Sequence, residues 1–503
     1  MATNPPARRL SKSRYQTGLQ CRKALWLKVH RPDLADPVDD GRLFRMEVGT
    51  KVGELARRRF PGGELVAEDH EHAAEAIAHT ARLVLSAVPA IYEAAFETAN
   101  VLVRCDVLVR VGDGSWDLFE VKSATGSKPE YLTDVAVQVW VLERCGVTVR
   151  NAYVLYLDNS YIWPGGDYDL AQMFAAEDLT GDVRAVLGQV DAKVPELLEM
   201  LGAAEPTASI GKHCDRPYSC DFYGHCHAGL PDPPITGLAR VTESVLSALI
   251  AAGHMGVRDV PDDFPGLSAA QRAICRLVRE GTPGIEGDLA SKLAELRYPL
   301  HFVDFETFMP PLPIYPDTHV YHVSQFQWSD HVIHADGQME HREFLHTDRS
   351  DPRRAFIEAL LAATQDAGTI LIYSSYEHTQ LRALALQFPE HSAAIAAVQA
   401  RLFDLEKVVK EHVRHPALLG RTSIKAVLPA LVPDLTYDGL PIGNGDQAQR
   451  LYFQFMTGDL APDQHANLFA SLRQYCQLDT MAMVRVWQVL QEAAEGRGAL
   501  GTG

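Results

Sequence analysis

Apolar and polar positions divide the chain into three stretches with different periods. In roughly 1–230, alternation appears in VLVRCDVLVRV and again in SWDLFEVKS, with Gly112, Asp113 and Gly114 between them. That is the pattern of a two-stranded hairpin. LTDVAVQVWVLERCG changes to helical spacing, and AYVLYL returns to a strand whose partner is expected around Tyr161. GLPDPPITG is turn-rich and reads as a boundary. From 231 to 298, short apolar helical runs are broken at Gly253, Gly256, Pro261 and Pro265, which suggests a small helical connector. The third stretch, 299–495, opens with YPLHFVDFETF as a strand and adds HVYHVSQFQW and MEHREFLH. A helix in PRRAFIEALLAATQ, a buried-type strand in GTILIYSS and a run of helices complete it. The expected fold class is α/β, with a mixed sheet in the last stretch.

Length and charge narrow the picture. A chain of 503 residues has room for two or three domains. It carries no apolar run of membrane-spanning length, and MATNPPARRLSKSRYQ lacks the apolar core of a signal peptide, so no membrane partner and a cytoplasmic location are expected. In a reducing compartment, eight cysteines point to metal or buried thiols rather than disulfides. The net charge of -18 counts against a general nucleic-acid binder. Metal-holding carboxylates add to that total, however, and basic residues can be gathered in one groove.

Two groups of residues carry chemistry in the first stretch. Asp106, Glu120 and Lys122 form D-x13-E-x-K across the hairpin. Two acids on neighbouring strands suit a divalent cation, Mg²⁺ or Mn²⁺, and Lys122 shares a strand face with Glu120, where its ammonium can orient water or meet developing charge. The competing reading is a hairpin with ordinary exposed charges. Around this core stand Cys21 and the trio Cys214, Cys220 and Cys226, spaced C-x5-C-x5-C, like a clasp joining the two ends of one domain. Thiolates serve iron–sulfur clusters and zinc equally well, and His213, His225 and His227 keep a zinc variant open. Unligated buried thiols are the third alternative; Cys105, Cys145, Cys275 and Cys476 read as plain thiols.

The third stretch holds a second group. Asp304 and Glu306 alternate on an apolar strand and so share a face. Two acids on a strand otherwise built for burial repel unless a cation lies between them. Tyr475 and Asp479 form Y-x3-D, one helical turn apart, and Glu377 follows the strand LIYSSY as a third acid, with Asp404 as its alternative. Acids gathered this way suit two metals flanking one phosphodiester, with Tyr475 orienting the water. The competing reading is a surface D-x-E and a helix that merely packs a tyrosine.

These motifs carry family resemblances. With Cys21, the trio, Asp106, Glu120 and Lys122, the N-terminal half resembles the iron–sulfur RecB-like PD-(D/E)xK nucleases, the group of the CRISPR-adaptation exonuclease and AddB-type subunits. This implies a restriction-endonuclease-like domain over 1–230 with a [4Fe–4S] cluster on the four cysteines. It also implies a metal-assisting role for Glu54 in GTKVGELARRRF and a nucleic-acid contact at Gln138. Val141 and Leu142 stand where that family has a tyrosine, and the trio departs from its tighter C-x2-C-x5-C. Residues 299–495 resemble RNase H-like DEDD 3′–5′ exonucleases, with Asp304, Glu306 and Asp479 matching and Glu377 where Asp is usual. SIKAVLPAL, with Lys425, resembles a connecting segment of RecB-associated RNase H-like domains. Nearly the whole chain resembles a bacterial family catalogued as a domain of unknown function, DUF2779, that pairs the two modules. The expected activity is metal-dependent nuclease action, exonuclease in kind, on nucleic acid, with DNA ahead of RNA and room for a further protein partner. The alternatives are a nucleic-acid-binding or scaffold protein with one or both sites inactive, and a zinc-clasped enzyme for small phosphorylated substrates.

Overall fold

The computed structural model describes residues 9–69, 71–498 and 500. The first eight residues, part of the stretch read for a signal peptide, and most of the glycine-rich tail lie outside these. The chain is mixed α/β and forms two compact units, Met1–Gly229 with Pro310–His322, and Leu230–Met309 with Val323–Gly503. The connector stretch therefore belongs to the second unit. Among the described residues, no helix is long and apolar enough to cross a membrane.

The first unit is built on a seven-stranded sheet. Its strands are β1 (Leu10–Ser11), β2 (Glu64–Leu65), β3 (Ala90–Thr98), β4 (Val101–Arg110), β5 (Trp116–Lys122), β6 (Val149–Leu157) and, after the short β7 (Ile162–Trp163) that stands outside it, β8 (Phe174–Asp178). The sheet runs β2-β3-β4-β5-β6-β8, with β1 parallel to the start of β4. The expected β4–β5 hairpin is present, but it is preceded by β3, antiparallel to β4. Its apolar run IYEAAF was not read as a strand because it is buried on both faces and lacks alternation. The partner of β6 is β8 and not the segment near Tyr161; β7 pairs instead with Thr318–His319 of the inserted segment. Tyr321 of that segment donates its hydroxyl to the Ser123 carbonyl. Helices α1 (Lys12–Gln20), α2 (Arg22–His30), α3 (Asp40–Arg58), α4 (Ala73–Leu85), α5 (Pro129–Arg144) and α6 (Thr180–Met200) complete the unit. Proline at the first turn starts α5, and its Val135–Leu142 run is buried in the core with β4, β5 and α6.

The second unit begins with α7 (Glu243–Ala251) and α8 (Ala269–Glu280), the latter opened by a Ser268–Gln271 capping box and closed by Gly281 at φ +71°. Its main sheet uses β9 (Leu300–Phe308), β10 (Ser324–Ile333), β11 (Met339–Leu345), β12 (Thr369–Ile372) and β13 (Leu402–Asp404). In that numbering the spatial order is 11-10-9-12-13: the first three strands are antiparallel, and the last two run parallel to β9. Val303 and Phe305 pack on one face with α9 (Arg353–Ala363) and α10 (Tyr376–Gln387). Phe302, on the other face, packs with α11 (Leu405–His412), α12 (Ile424–Leu431) and α14 (His465–Ala494), the last preceded by α13 (Gly445–Thr457). The strand expected over HVYHVSQFQW begins later and runs further, through Ile333. All ten residues of β10 are buried, including Gln325, Gln327, Ser329, Asp330 and His331, and this polar content hides the strand's full extent from a hydrophobicity reading.

Candidate functional site

In the first unit, Glu120 and Lys122 share one face of β5 while the backbone N–H of the intervening Val121 donates to Asp106 Oδ2 at 2.7 Å. Glu120 is 1 % exposed and fully engaged. Lys12 Nζ lies 2.7 and 2.8 Å from its two oxygens, Lys122 Nζ is 2.8 Å from Oε1, and Gln138 Nε2 is 2.7 Å from Oε2. Asp134, one turn before Gln138 on α5, takes Lys122 at 2.6 Å. Burial alone would raise the Glu120 carboxyl, but the Lys12 and Lys122 ammonium groups outweigh it and hold it at about 2. Asp106 is pushed up to about 7, by burial first and then by Glu120. Lys12 and Lys122 are both raised; burial opposes this, and the surrounding carboxylates prevail.

Thus Asp106, Glu120, Lys122 and Gln138 come together, and Gln138 is buried beneath Glu120. Glu54 is exposed on α3, and the charges acting most strongly on Asp106 and Glu120 do not include it. Lys12 and Asp134 were missed. Lys12 lies 108 residues from its partner, placed by the β1–β4 pairing that sets the start of α1, and no local period carries that information. Asp134, four residues before Gln138, carried the one available signal, an i, i+4 polar pair on an otherwise apolar helix.

The four distant cysteines line one pocket with Ala24, Phe222 and Tyr223. Cys21 ends α1, and its neighbour Gln20 donates to the carbonyls of His213 and Tyr218, both at 2.7 Å, holding the trio's loop against the helix. Burial, then the neighbouring thiols, push Cys220 up to about 11, and burial also raises Cys214 and Cys226. The donor set is soft and its members act on one another, which fits a thiolate-bound group.

In the second unit, Asp304 and Glu306 sit on β9, on the face opposite Val303 and Phe305, and the strand's register shifts directly after Glu306. Cys476 of α14 reaches them; one ligand atom each from Asp304, Glu306 and Cys476 lie within 4.8 Å of one another. Cys476 therefore sits at the acids and is not the detached thiol read from sequence. Burial raises Asp304 and Glu306 well above the carboxylate range, with Asp479 the strongest charge acting on each and Glu377 also contributing. Burial likewise pushes Glu377 up to about 8 and Asp479 up to about 6. Glu377 is 3 % exposed, and its Oε2 has no hydrogen-bond partner. Tyr437 donates its hydroxyl to Asp479 Oδ1, and burial raises both Tyr437 and Tyr475. Lys425, an exposed cation, acts on Glu306 and Asp479. Asp404 ends β13, and its carboxylate caps α11 through the Lys407 N–H at 3.1 Å. Asp479 and Glu377 act electrostatically on Asp304 and Glu306, so the four acids form one group of hard oxygen donors, and Glu377, with its unpartnered oxygen, also lines an apolar cavity with Val303 and Phe305. That group fits divalent cations.

Residues 301–423 match a family described as "Domain of unknown function (DUF2779)". The match begins at the strand carrying Asp304 and Glu306 and takes in Glu377 and Asp404. No curated protein matches the chain. A solved structure titled "Crystal structure of SSO0001" is similar at 10% identity, over 32% of this chain and 88% of that one, with a TM-score of 0.15.

Proposed function

We propose that this protein is a metal-dependent nuclease acting on nucleic acid, DNA ahead of RNA, with its main hydrolytic centre at the four acids of the second unit, three of which (Asp304, Glu306 and Glu377) lie in the DUF2779-matching segment. The observation that carries this reading is the uncompensated charge there: Glu306, Glu377 and Asp479 are buried and Asp304 is half-buried, each carboxyl is pushed upward, and Glu377 Oε2 is unpartnered. Mg²⁺ or Mn²⁺ held by Asp304, Glu306, Glu377 and Asp479 supplies charge neutralisation and an activated water. Tyr437 and Tyr475 hold Asp479 through their hydroxyls. The 11-10-9-12-13 strand order, with β9 central, supports an RNase H-like reading of the unit.

The first unit's sheet, with Asp106, Glu120 and Lys122 on adjoining strands, supports a PD-(D/E)xK reading. The four cysteines support a structural [4Fe–4S] cluster, which would tie α1 to the loop around Cys214–Cys226. One observation favours a binding role for the first site: Glu120 is already saturated by Lys12, Lys122 and Gln138.

The test is degradation of end-labelled DNA and RNA with Mg²⁺ or Mn²⁺, comparing free and blocked 3′ ends. Asp304→Ala is expected to lower 3′ trimming at least about 1,000-fold, roughly 4 kcal/mol of barrier, and to leave any Lys122-dependent cleavage in place. Full 3′ trimming by Asp304→Ala, lost in Lys122→Ala, would overturn the assignment to the second unit.

A further inference from the structure

The second unit also holds an open groove of about 860 Å³ between α8, α11 and the loop around Arg421. In a chain of charge -18 its lining carries more cations than acids: Arg240, Arg276, Lys407, Lys410, Arg414 and Arg421 stand in it against Glu280, Glu286, Asp404 and Glu406. Arg414 is paired with Glu286 at 2.7 Å and Lys407 with Asp404 at 3.6 Å. Arg240, Arg276, Lys410 and Arg421 are exposed and, among the described residues, have no acidic partner. These four cations outnumber the two remaining acids of the lining, Glu280 and Glu406, so the trough keeps an excess of positive charge that an anion lying along it offsets. Ile274 and Leu277 of α8 add an apolar wall to the same trough.

One end of the groove lies beside Glu377, because the lining residue Asp404 acts on its carboxyl. Asp404 pairs with Ile372 at the end of β12, and the chain runs from there directly through Ser375, a lining residue, to Glu377. Thr422 also lines the groove, accepts the Tyr373 hydroxyl on its carbonyl at 2.8 Å, and lies three residues before Lys425.

We infer that this groove carries the single strand of nucleic acid whose end is presented to the acid cluster, its phosphates on Arg240, Arg276, Lys410 and Arg421 and its base faces against Ile274 and Leu277. The inference rests on the nuclease reading for the strand's destination. The cations contact the backbone only, so recognition is independent of base sequence.

The test uses the full chain and the triple variant Arg240→Glu/Arg276→Glu/Lys410→Glu, with the milder triple Gln variant beside it and circular dichroism as the fold control. All three positions are exposed, so the fold is expected to survive. Binding of a fluorescent single-stranded DNA 12-mer, and of the matching RNA, is measured in EDTA across a salt series. The Glu variant is expected to bind at least about 10-fold more weakly. The slope of log affinity against log salt should shrink by about 2, at about 0.7 per lost phosphate contact. Hydrolysis of p-nitrophenyl thymidine 5′-phosphate, too small to need the groove, should be unchanged. Wild-type binding and trimming by a folded Glu variant would overturn the groove while leaving the nuclease reading intact. Failure of wild-type protein to hydrolyse either substrate would overturn the nuclease reading, with the 12-mer binding still deciding the groove. No 12-mer binding by wild type, or equal competition by a poly-glutamate peptide, would also overturn it.

Discussion

The two units each bury a group of acids, and they balance the charge in opposite ways. In the first, Glu120 has two lysines and an amide on its oxygens and stays ionised at about 2. In the second, Asp304 and Glu306 feel chiefly Asp479 and Glu377, and the cation acting on Glu306 and Asp479 is the exposed Lys425. Identical chemistry in the primary structure thus acquires different electrostatics from what the fold brings alongside. A compensated carboxylate is satisfied as it stands. An uncompensated cluster either holds protons or holds a cation. The cysteine pocket belongs with the second kind, since burial raises three of its thiols.

The largest effect comes from the clasp. Cys220→Ser should abolish visible absorbance and bound iron, about four per chain in anaerobically purified wild type. It should also lower the melting temperature of the first unit by about 10 °C, because the clasp closes a loop from Cys21 to Cys226. A colourless wild type with stoichiometric zinc would break the cluster assignment.

The next effect separates the two acid groups by pH. Glu377 is raised to about 8, Asp479 to about 6, and Asp304 and Glu306 also upward. Without cations, the folded chain therefore keeps protons that the unfolded chain releases near pH 4–5. Their contribution to stability is full below that range and is lost as pH rises through about 6 to 8. The metal-free melting temperature should fall across that window, by ~5 °C, and Mn²⁺ should restore it. Calorimetry from pH 5 to 9 checks this.

The smallest effect concerns Glu120, whose depressed carboxyl stabilises the fold above the ordinary carboxylate range and loses that contribution as pH falls through about 2. Lys12→Met should raise the Glu120 carboxyl by about 1 unit, or about 1.4 kcal/mol, read by the pH dependence of its NMR signal. No change would mean that Lys122 and Gln138 alone hold the charge.

How far sequence reached follows from the range of each signal. Asp304, Glu306, Tyr475 and Asp479 were legible because strand alternation and one helical turn are local periods, and both survive in the fold. Glu377 was legible from its place just after a strand. Lys12, Asp134 and Tyr437 were not singled out and Cys476 read as a plain thiol, since each reaches its site through tertiary packing. The three-residue β13, which ends in Asp404, is too short to show any period. The full extent of β10 was masked by the glutamines, serines and histidine it buries.

The central claim, that the second unit's acids await a cation while Glu120 does not, is tested most directly by counting bound Mn²⁺. Electron paramagnetic resonance titration at pH 7.5 would compare wild type, Asp304→Asn and Glu120→Gln. The expected result is that Asp304→Asn loses the tightest Mn²⁺, with at least about a 10-fold weaker affinity, while Glu120→Gln keeps it. Unchanged tight binding in Asp304→Asn, or its loss only in Glu120→Gln, would contradict the account.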